Sequence, residues 1–419
     1  MIGGRRSILA VVHAAVLCTC CAALASCGGG DDDDDGDSSA PTQAHLYVGC
    51  RDDVGSVQHY LIEAPSGTLT PVDTAAATSP TTFFTVNASQ SLVYVGHSAE
   101  GRITTFTRDL ATGSLTPIGS VTVPGNKEGD ADAQPPYNVD CLNADDPTAP
   151  ANPAIQTLTL SPDEGCMIVS NWCANTVLVY AMNADGTVGN LLQTLIDGEK
   201  SHHAVFDSTG RYVLVPYLAS NAIAVYLYDA ATHLLSPGTP LLTVLPADNG
   251  PSGPRHLAFH PTQTSWLYSI NETAGSISFF LFDSATGTLA HQQTISSLPA
   301  DSPYTAAELH RHAAEIRIDQ TGRFLYVSNR LDQAADGSIG AYSIAQDTGA
   351  LTPIEWESTG GATPRLFSLS PDGRLLVVTN RHSDNMSVFS VNQETGELDL
   401  LQTLGVCTTP VFANMIPAG

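Results

Sequence analysis

A turn of the form Thr-Gly-x-Leu recurs seven times, each time behind a β-rich stretch, and this periodicity limits the fold more tightly than any other feature of the chain. The copies are Ser66-Gly67-Thr68-Leu69, Thr112-Gly113-Ser114-Leu115, Asp185-Gly186-Thr187-Val188, Thr232-His233-Leu234-Leu235, Thr286-Gly287-Thr288-Leu289, Thr348-Gly349-Ala350-Leu351 and Thr395-Gly396-Glu397-Leu398. Most are spaced by roughly the 40–50 residues of one propeller blade. The widest gap, between the second and third copies, holds a polar, proline-rich insertion near 124–152.

Within one copy, an alternating strand (Leu366 to Ser370) meets a Pro-Asp-Gly-Arg turn at 371–374. A second strand (Leu375 to Thr379) then ends at Asn380-Arg381, and a third (Met386 to Val391) precedes the Thr-Gly-Glu-Leu turn. No copy carries an amphipathic helix pattern. Short strands with regular turn punctuation predict an all-β array, and seven four-stranded units predict a closed seven-bladed β-propeller. Strands of one blade are lettered A to D from the axis outward. The first copy opens with a B strand at His45-Leu46-Tyr47-Val48-Gly49-Cys50 and lacks its A strand. Thr409 to Asn414, after the last turn, supplies the missing piece, so the ring closes by pairing the N- and C-terminal strands. The start of A and the end of B lie at one end of an antiparallel blade. Cys407 therefore falls beside Cys50, which favours a disulfide there over two separate buried thiols. Cys141 and Cys173 form a weaker second pairing that would pin the insertion, leaving Cys166 as a free buried thiol.

The N-terminus reads as an export signal rather than as fold. Two arginines (Arg5, Arg6) precede an apolar run from Ile8 to Ala25 that ends in Leu24-Ala25-Ser26-Cys27, resembling a bacterial lipoprotein cleavage site. On this reading residues 1–26 are a signal peptide, Cys27 is lipidated, and 27–44 form an Asp-rich disordered tether, with the propeller over 45–419. A transmembrane anchor is the competing reading of the apolar run. The expected location is the bacterial cell envelope, lipid-anchored on a periplasmic or outer-membrane face.

Two of the 16 Lys+Arg residues precede Cys27, leaving 14 against 42 Asp+Glu. Such an acidic chain is not expected to bind nucleic acid. The few basic residues are not scattered. Counting back from Gly210-Arg211, Pro261, Gly322-Arg323 and Gly373-Arg374 puts His202-His203, Arg255-His256, Ala314-Glu315 and Arg365-Leu366 in one slot, where strand A begins. Counting forward, Cys50-Arg51, Asn171-Trp172, Tyr217-Leu218, Asn271-Glu272, Asn329-Arg330 and Asn380-Arg381 share the slot where strand B ends. Both slots lie on one face, so Arg51, Arg255, Arg330, Arg365 and Arg381 are expected to crowd one mouth of the central channel. Guanidinium forks suit planar anions. His202, His203, His256, Glu272 and Glu315 reach the same rim and can move protons. The bland alternative is that Glu272 merely pairs with Arg255 and ties blades together. His260, His310 and His312 are read as incidental, no compact metal-ligand spacing is present, and neither metal nor cofactor is expected.

Gly253-Pro-Arg-His-Leu-Ala-Phe-His-Pro261, Asn271-Glu272, Ala314-Glu-Ile-Arg317, Gly322 to Arg330 and Thr363 to Arg374 together resemble the lactonase-type seven-bladed propellers. That family includes bacterial 6-phosphogluconolactonases and fungal carboxymuconate-lactonizing enzymes. The resemblance covers most of 45–415. It implies a lactone hydrolase acting on a small anionic lactone, of sugar-acid or muconate type. Arg255, Glu272 and His203 would be catalytic, and Arg330, Arg365, His256, His202, Asn271, Arg381 and Arg51 would bind substrate. The family's His-x-His reads Ser201-His202-His203, with His203 in the family position, and its Asp-Leu-Gly reads Tyr217-Leu218-Ala219. These departures suggest the alternative, a non-catalytic envelope lipoprotein that binds a small anion or a partner protein. A monomer is expected.

Overall fold

A computed structural model of the chain describes residues 42–124 and 155–418, apart from 53–54, 78, 98–100, 247–249, 301, 303–312 and 331–335. The signal segment with Cys27, almost all of the tether, the insertion with Cys141, and His310 and His312 lie outside the described residues.

The described residues form 28 strands in seven four-stranded antiparallel sheets, with no helix among them. Blade 1 holds β1 (Thr42–Cys50), β2 (Ser56–Ala64) and β3 (Thr68–Ala76). Blade 2 holds β4 (Thr81–Val86), β5 (Leu92–His97), β6 (Arg102–Arg108) and β7 (Leu115–Thr122). Blade 3 holds β8 (Ile155–Leu160), β9 (Cys166–Asn171), β10 (Thr176–Met182) and β11 (Val188–Leu195). Blade 4 holds β12 (Val205–Phe206), β13 (Tyr212–Tyr217), β14 (Ala222–Asp229) and β15 (Leu234–Val244). Blade 5 holds β16 (Pro254–Phe259), β17 (Trp266–Asn271), β18 (Ser276–Asp283) and β19 (Thr288–Ser296). Blade 6 holds β20 (Ala313–Ile318), β21 (Phe324–Asn329), β22 (Asp336–Ile344) and β23 (Leu351–Ala362). Blade 7 holds β24 (Pro364–Leu369), β25 (Leu375–Asn380), β26 (Asn385–Val391) and β27 (Leu398–Gly405), and β28 (Pro410–Pro417) completes blade 1.

The chain is therefore a seven-bladed propeller whose ring closes as the sequence pattern predicts. β28 pairs antiparallel with β1, Tyr47 opposite Asn414, and supplies the inner strand of blade 1. A disulfide joins Cys50 to Cys407 across 357 residues of chain. Cys173 is also disulfide-bonded, its expected partner Cys141 lying outside the described residues. Cys166 is a buried free thiol. β1 begins at Thr42, inside the stretch read as tether, because Thr42 to Ala44 still pair with Ile62 to Ala64 of β2.

Burial follows strand position. The second strands β9, β13, β17, β21 and β25 are buried at every residue, sandwiched between neighbouring blades. Outer strands such as β27 are largely exposed, with Leu398 buried and only its second half alternating between exposed and half-buried. Core clusters bridge adjacent blades: Trp266, Tyr268 and Phe279 of blade 5 pack with Leu325, Val327 and Tyr342 of blade 6. Fully burying one such aromatic contributes about 1.5–3 kcal/mol. The recurring turns add a polar tie between blades. Their third-strand-to-fourth-strand corners need a left-handed residue, and Gly113, Gly349 and Gly396 adopt φ near +78°, +77° and +77°. The hydroxyls of Tyr47, Tyr268 and Tyr326 then donate to the carbonyls of Gly113, Gly349 and Gly396 in the following blade. In the fourth copy His233 takes that conformation at φ 58°.

Candidate functional site

The mouth is built from one repeated backbone device. In five blades the first residue of the inner strand pairs with the last residue of the second: Thr81 with His97, Ile155 with Asn171, Pro254 with Asn271, Ala313 with Asn329 and Pro364 with Asn380. Immediately after that pair the register shifts, leaving a bulge at Thr82, Gln156, Arg255, Ala314-Glu315 and Arg365-Leu366. A bulge lets a side chain depart from strict alternation and re-aims it. On the other side of the pair, the N–H groups of Glu272, Arg381 and Arg51 donate to the carbonyls of Gly253, Thr363 and Thr409, each just before an inner strand. Gly253 sits at φ 68°, and a Cβ there would meet the Thr273 side chain at 2.1 Å.

These positions bring the charged residues together. Arg255 is 1% exposed, and its Nε lies 2.9 Å from Glu272 Oε2, while its Nη1 donates to the Ala314 carbonyl. Arg330 Nη2 reaches the same Glu272 oxygen at 2.9 Å and the Ala313 carbonyl at 3.1 Å. Arg365 Nη2 donates to Gln156 Oε1 at 2.8 Å, and its Nη1 is buried without a hydrogen-bond acceptor among the described residues. Burial, then the charges of Arg255, Arg381, Arg51 and Arg330, press the Arg365 pKa well below its usual value. Burial and Arg330 press Arg255 down to about 10, against the pull of Glu272 and Glu315, and burial and Arg381 press Arg51 to about 9. Arg365 is thus within electrostatic reach of the other four arginines named from the register. Guanidinium groups keep their charge even so, and their mutual repulsion is relieved when an anion arrives.

The histidines divide. His202 is 5% exposed, and burial, then Arg255, His256, Arg365 and Arg330, hold it neutral. His203 stacks on His256 with ring centroids 4.6 Å apart, and its Nδ1 accepts the Leu257 N–H at 3.2 Å. That lone pair is spent on the β16 backbone; the charge of Arg255 acts on both imidazoles, with Arg365 and Arg330 added at His202 and Arg317 at His203. Asn271, expected in the mouth, also points elsewhere. Its amide donates to Ser276 and Ser278 at 3.0 and 2.9 Å and accepts from Ser269 at 3.0 Å, entirely within blade 5. Asn329 and Asn380 donate likewise to the carbonyls of Ser297 and Thr359. The repeated Asn is structural, and the residue after it faces the mouth.

Gln156 was not singled out from the sequence. Its signal was present: it lies six residues before Pro162, as Arg255 lies six before Pro261 and Arg365 six before Pro371. The two departures from the family pattern are spent in packing. Ser201 Oγ donates to the Thr176 carbonyl, and the Tyr217 hydroxyl donates to Tyr226, which in turn donates to Asp197 at 3.0 Å. Among the described residues no group of three His, Cys, Asp or Glu side chains is arranged to hold a metal ion.

Comparison with known proteins agrees with this architecture. The chain matches the family described as "Lactonase, 7-bladed beta-propeller" over residues 39–129 and 141–415. It is 28% identical to a 6-phosphogluconolactonase of Pectobacterium carotovorum over 344 residues, 78% of this chain and 99% of that one. A 6-phosphogluconolactonase of Yersinia pestis is 27% identical over 340 residues, 77% of this chain and 97% of that one. The periplasmic gluconolactonase PpgL of Pseudomonas aeruginosa shares the fold at TM-score 0.72 and 23% identity, covering 90% of this chain and all of that one. With the family match spanning most of its length, the chain belongs to the lactonase family of seven-bladed β-propellers, and its function is of lactonase type.

Proposed function

We propose that the chain hydrolyses a small anionic lactone, of sugar-acid or muconate type, at the arginine-lined mouth. The observation that carries this reading is the convergence of Arg255, Arg330, Arg365, Arg51 and Arg381 on one rim of an otherwise strongly acidic chain. Arg330 and Arg365 hold the substrate's carboxylate or phosphate, and Arg255 stabilises the oxyanion that forms on the lactone carbonyl. A water oxygen attacks the carbonyl carbon and loses its proton to Glu272 or His202. The ring C–O bond breaks, the departing oxygen takes a proton, and the hydroxy acid leaves. The role expected of His203 passes to His202 because the lone pair of His203 Nδ1 is occupied. His256, Arg51 and Arg381 support the anion site from its edge. Export and anchoring through Cys27, in a monomer with no nucleic-acid partner, belong to the same proposal and would place the reaction in the cell envelope.

The test is hydrolysis of a panel of sugar-acid and muconic lactones, followed by pH-stat, for the purified protein beside Arg255→Ala and Glu272→Gln. Loss of rate in both folded variants supports the reading. Rates equal to spontaneous opening in all three sink it and leave the non-catalytic anion-binding propeller.

A further inference from the structure

One buried carboxylate next to the mouth has no place in that scheme. Glu315 is 2% exposed, and its Oε1 lies 3.1 Å from His256 Nδ1 and accepts the Ile316 N–H at 3.0 Å. Arg317 Nη2 stands 3.5 Å from its other oxygen. These partners hold Glu315 ionised, since Arg317 and His256 outweigh the opposing effect of burial.

The proton positions along the adjoining rings follow from that charge. Burial keeps His256 neutral, its pKa pressed to about 4, so it carries a single N–H. An ionised carboxylate only accepts, which puts this proton on Nδ1 and the lone pair on Nε2. His202 Nδ1 lies 3.2 Å from that Nε2 and can only donate to it. His202 is neutral as well, so its own Nε2 is left unprotonated in a ring on which the charges of Arg255, Arg365 and Arg330 act. The guanidinium nitrogens of those three arginines can only donate.

We propose that Glu315, acting through His256, is a positioning residue that fixes His202 as the Nδ1–H tautomer and so presents an accepting Nε2 to the substrate. This rests on the lactone-hydrolase reading for its catalytic consequence, but the tautomer itself does not. In the reaction, Nε2 takes the proton of the attacking water as the new C–O bond forms. It then returns that proton to the ring oxygen as the old C–O bond breaks. The transient imidazolium is balanced by Glu315 at the far end of the chain. With the opposite tautomer His202 would offer only another donor and could take no proton.

Imidazole ¹⁵N spectra of the histidine-labelled protein test this directly, with the His202 and His256 signals assigned by their loss in His202→Asn and His256→Asn. Both rings are expected as Nδ1–H tautomers. Glu315→Gln would keep an accepting oxygen there, because the Ile316 N–H donates to the same atom that faces His256 Nδ1. Glu315→Leu removes that acceptor, and an Nε2–H signal is expected to appear for both rings. An Nε2–H or charged His202 in the unmodified protein overturns the proposal without any variant, and so does an unchanged tautomer in folded Glu315→Leu. On glucono-δ-lactone, Glu315→Leu should lower kcat by about 10–100-fold with KM nearly constant, and Glu315→Asp should recover part of it. No hydrolysis by the unmodified protein sinks the lactonase reading, while the spectra still decide the relay. Hydrolysis with unaltered kcat in Glu315→Leu sinks the relay alone.

Discussion

Arg255 Nε and Glu272 Oε2 stand 2.9 Å apart although one residue begins an inner strand and the other follows its neighbour. The antiparallel pairing of Pro254 with Asn271 puts both at the mouth, and the bulge at Arg255 turns its side chain toward the carboxylate. Arg330 of the next blade shares the same oxygen, so the ion pair ties blades together and belongs to the candidate site at once.

Removing the carboxylate from that triad leaves two guanidinium groups without their shared partner. Glu272→Ala is expected to cost about 3–5 kcal/mol in stability, read as a lower urea midpoint, and Glu272→Gln less. A midpoint unchanged in Glu272→Ala would show that Glu272 is not a structural partner of the arginines.

Anions should stabilise the native protein by occupying the mouth. Gluconate or inorganic phosphate is expected to raise the melting temperature saturably, by an amount equivalent to about 2.7 kcal/mol at a hundredfold excess over Kd. Arg365→Ala should remove most of the rise, since Arg365 sits amid the other four arginines. A rise of the same size in Arg365→Ala would place the anion elsewhere.

Stability should fall with acid in a defined window. Burial presses His45, His97 and His256 from 6.5 to about 4. Their unfolded counterparts take up protons near pH 6.5, so the native state binds fewer protons between the two values. The contribution is fully present above pH 6.5 and is lost as pH falls toward 4, on the order of 1–3 kcal/mol per histidine. Urea midpoints at pH 7 and pH 5 check it, and His97→Gln should shrink the difference by one histidine's share.

Asn271 separates a structural from a binding role. Its side chain is saturated by three serine hydroxyls of its own blade. Asn271→Ala is expected to cost about 1–3 kcal/mol and to leave KM for any substrate lactone nearly unchanged. A large rise in KM at unchanged stability would return Asn271 to the mouth.

The Cys50–Cys407 bridge closes 357 residues of chain. Replacing both cysteines by serine should lower stability by about 4 kcal/mol, measured by urea unfolding under non-reducing conditions. An unchanged midpoint would mean that strand pairing alone holds the ring.

Much of this molecule was legible in the residues because repetition is a one-dimensional signal. Seven recurrent turns counted the blades, and the orphan B strand at His45–Cys50 with the spare strand after Gly405 predicted how the ring closes. Antiparallel pairing then told which strand ends share a face, which brought Arg51, Arg255, Arg330, Arg365 and Arg381 to one mouth. What counting could not supply was the direction of each side chain. A bulge leaves no mark in composition or period, yet it takes Arg255, Gln156 and Glu315 out of the strict alternation of their strands. The neighbouring Asn271 turns into its blade because the serines around it satisfy its amide. His202 and His203 are adjacent and chemically identical in sequence. Only packing separates them, giving the Leu257 N–H to His203 Nδ1 and the His256 ring nitrogen to His202 Nδ1.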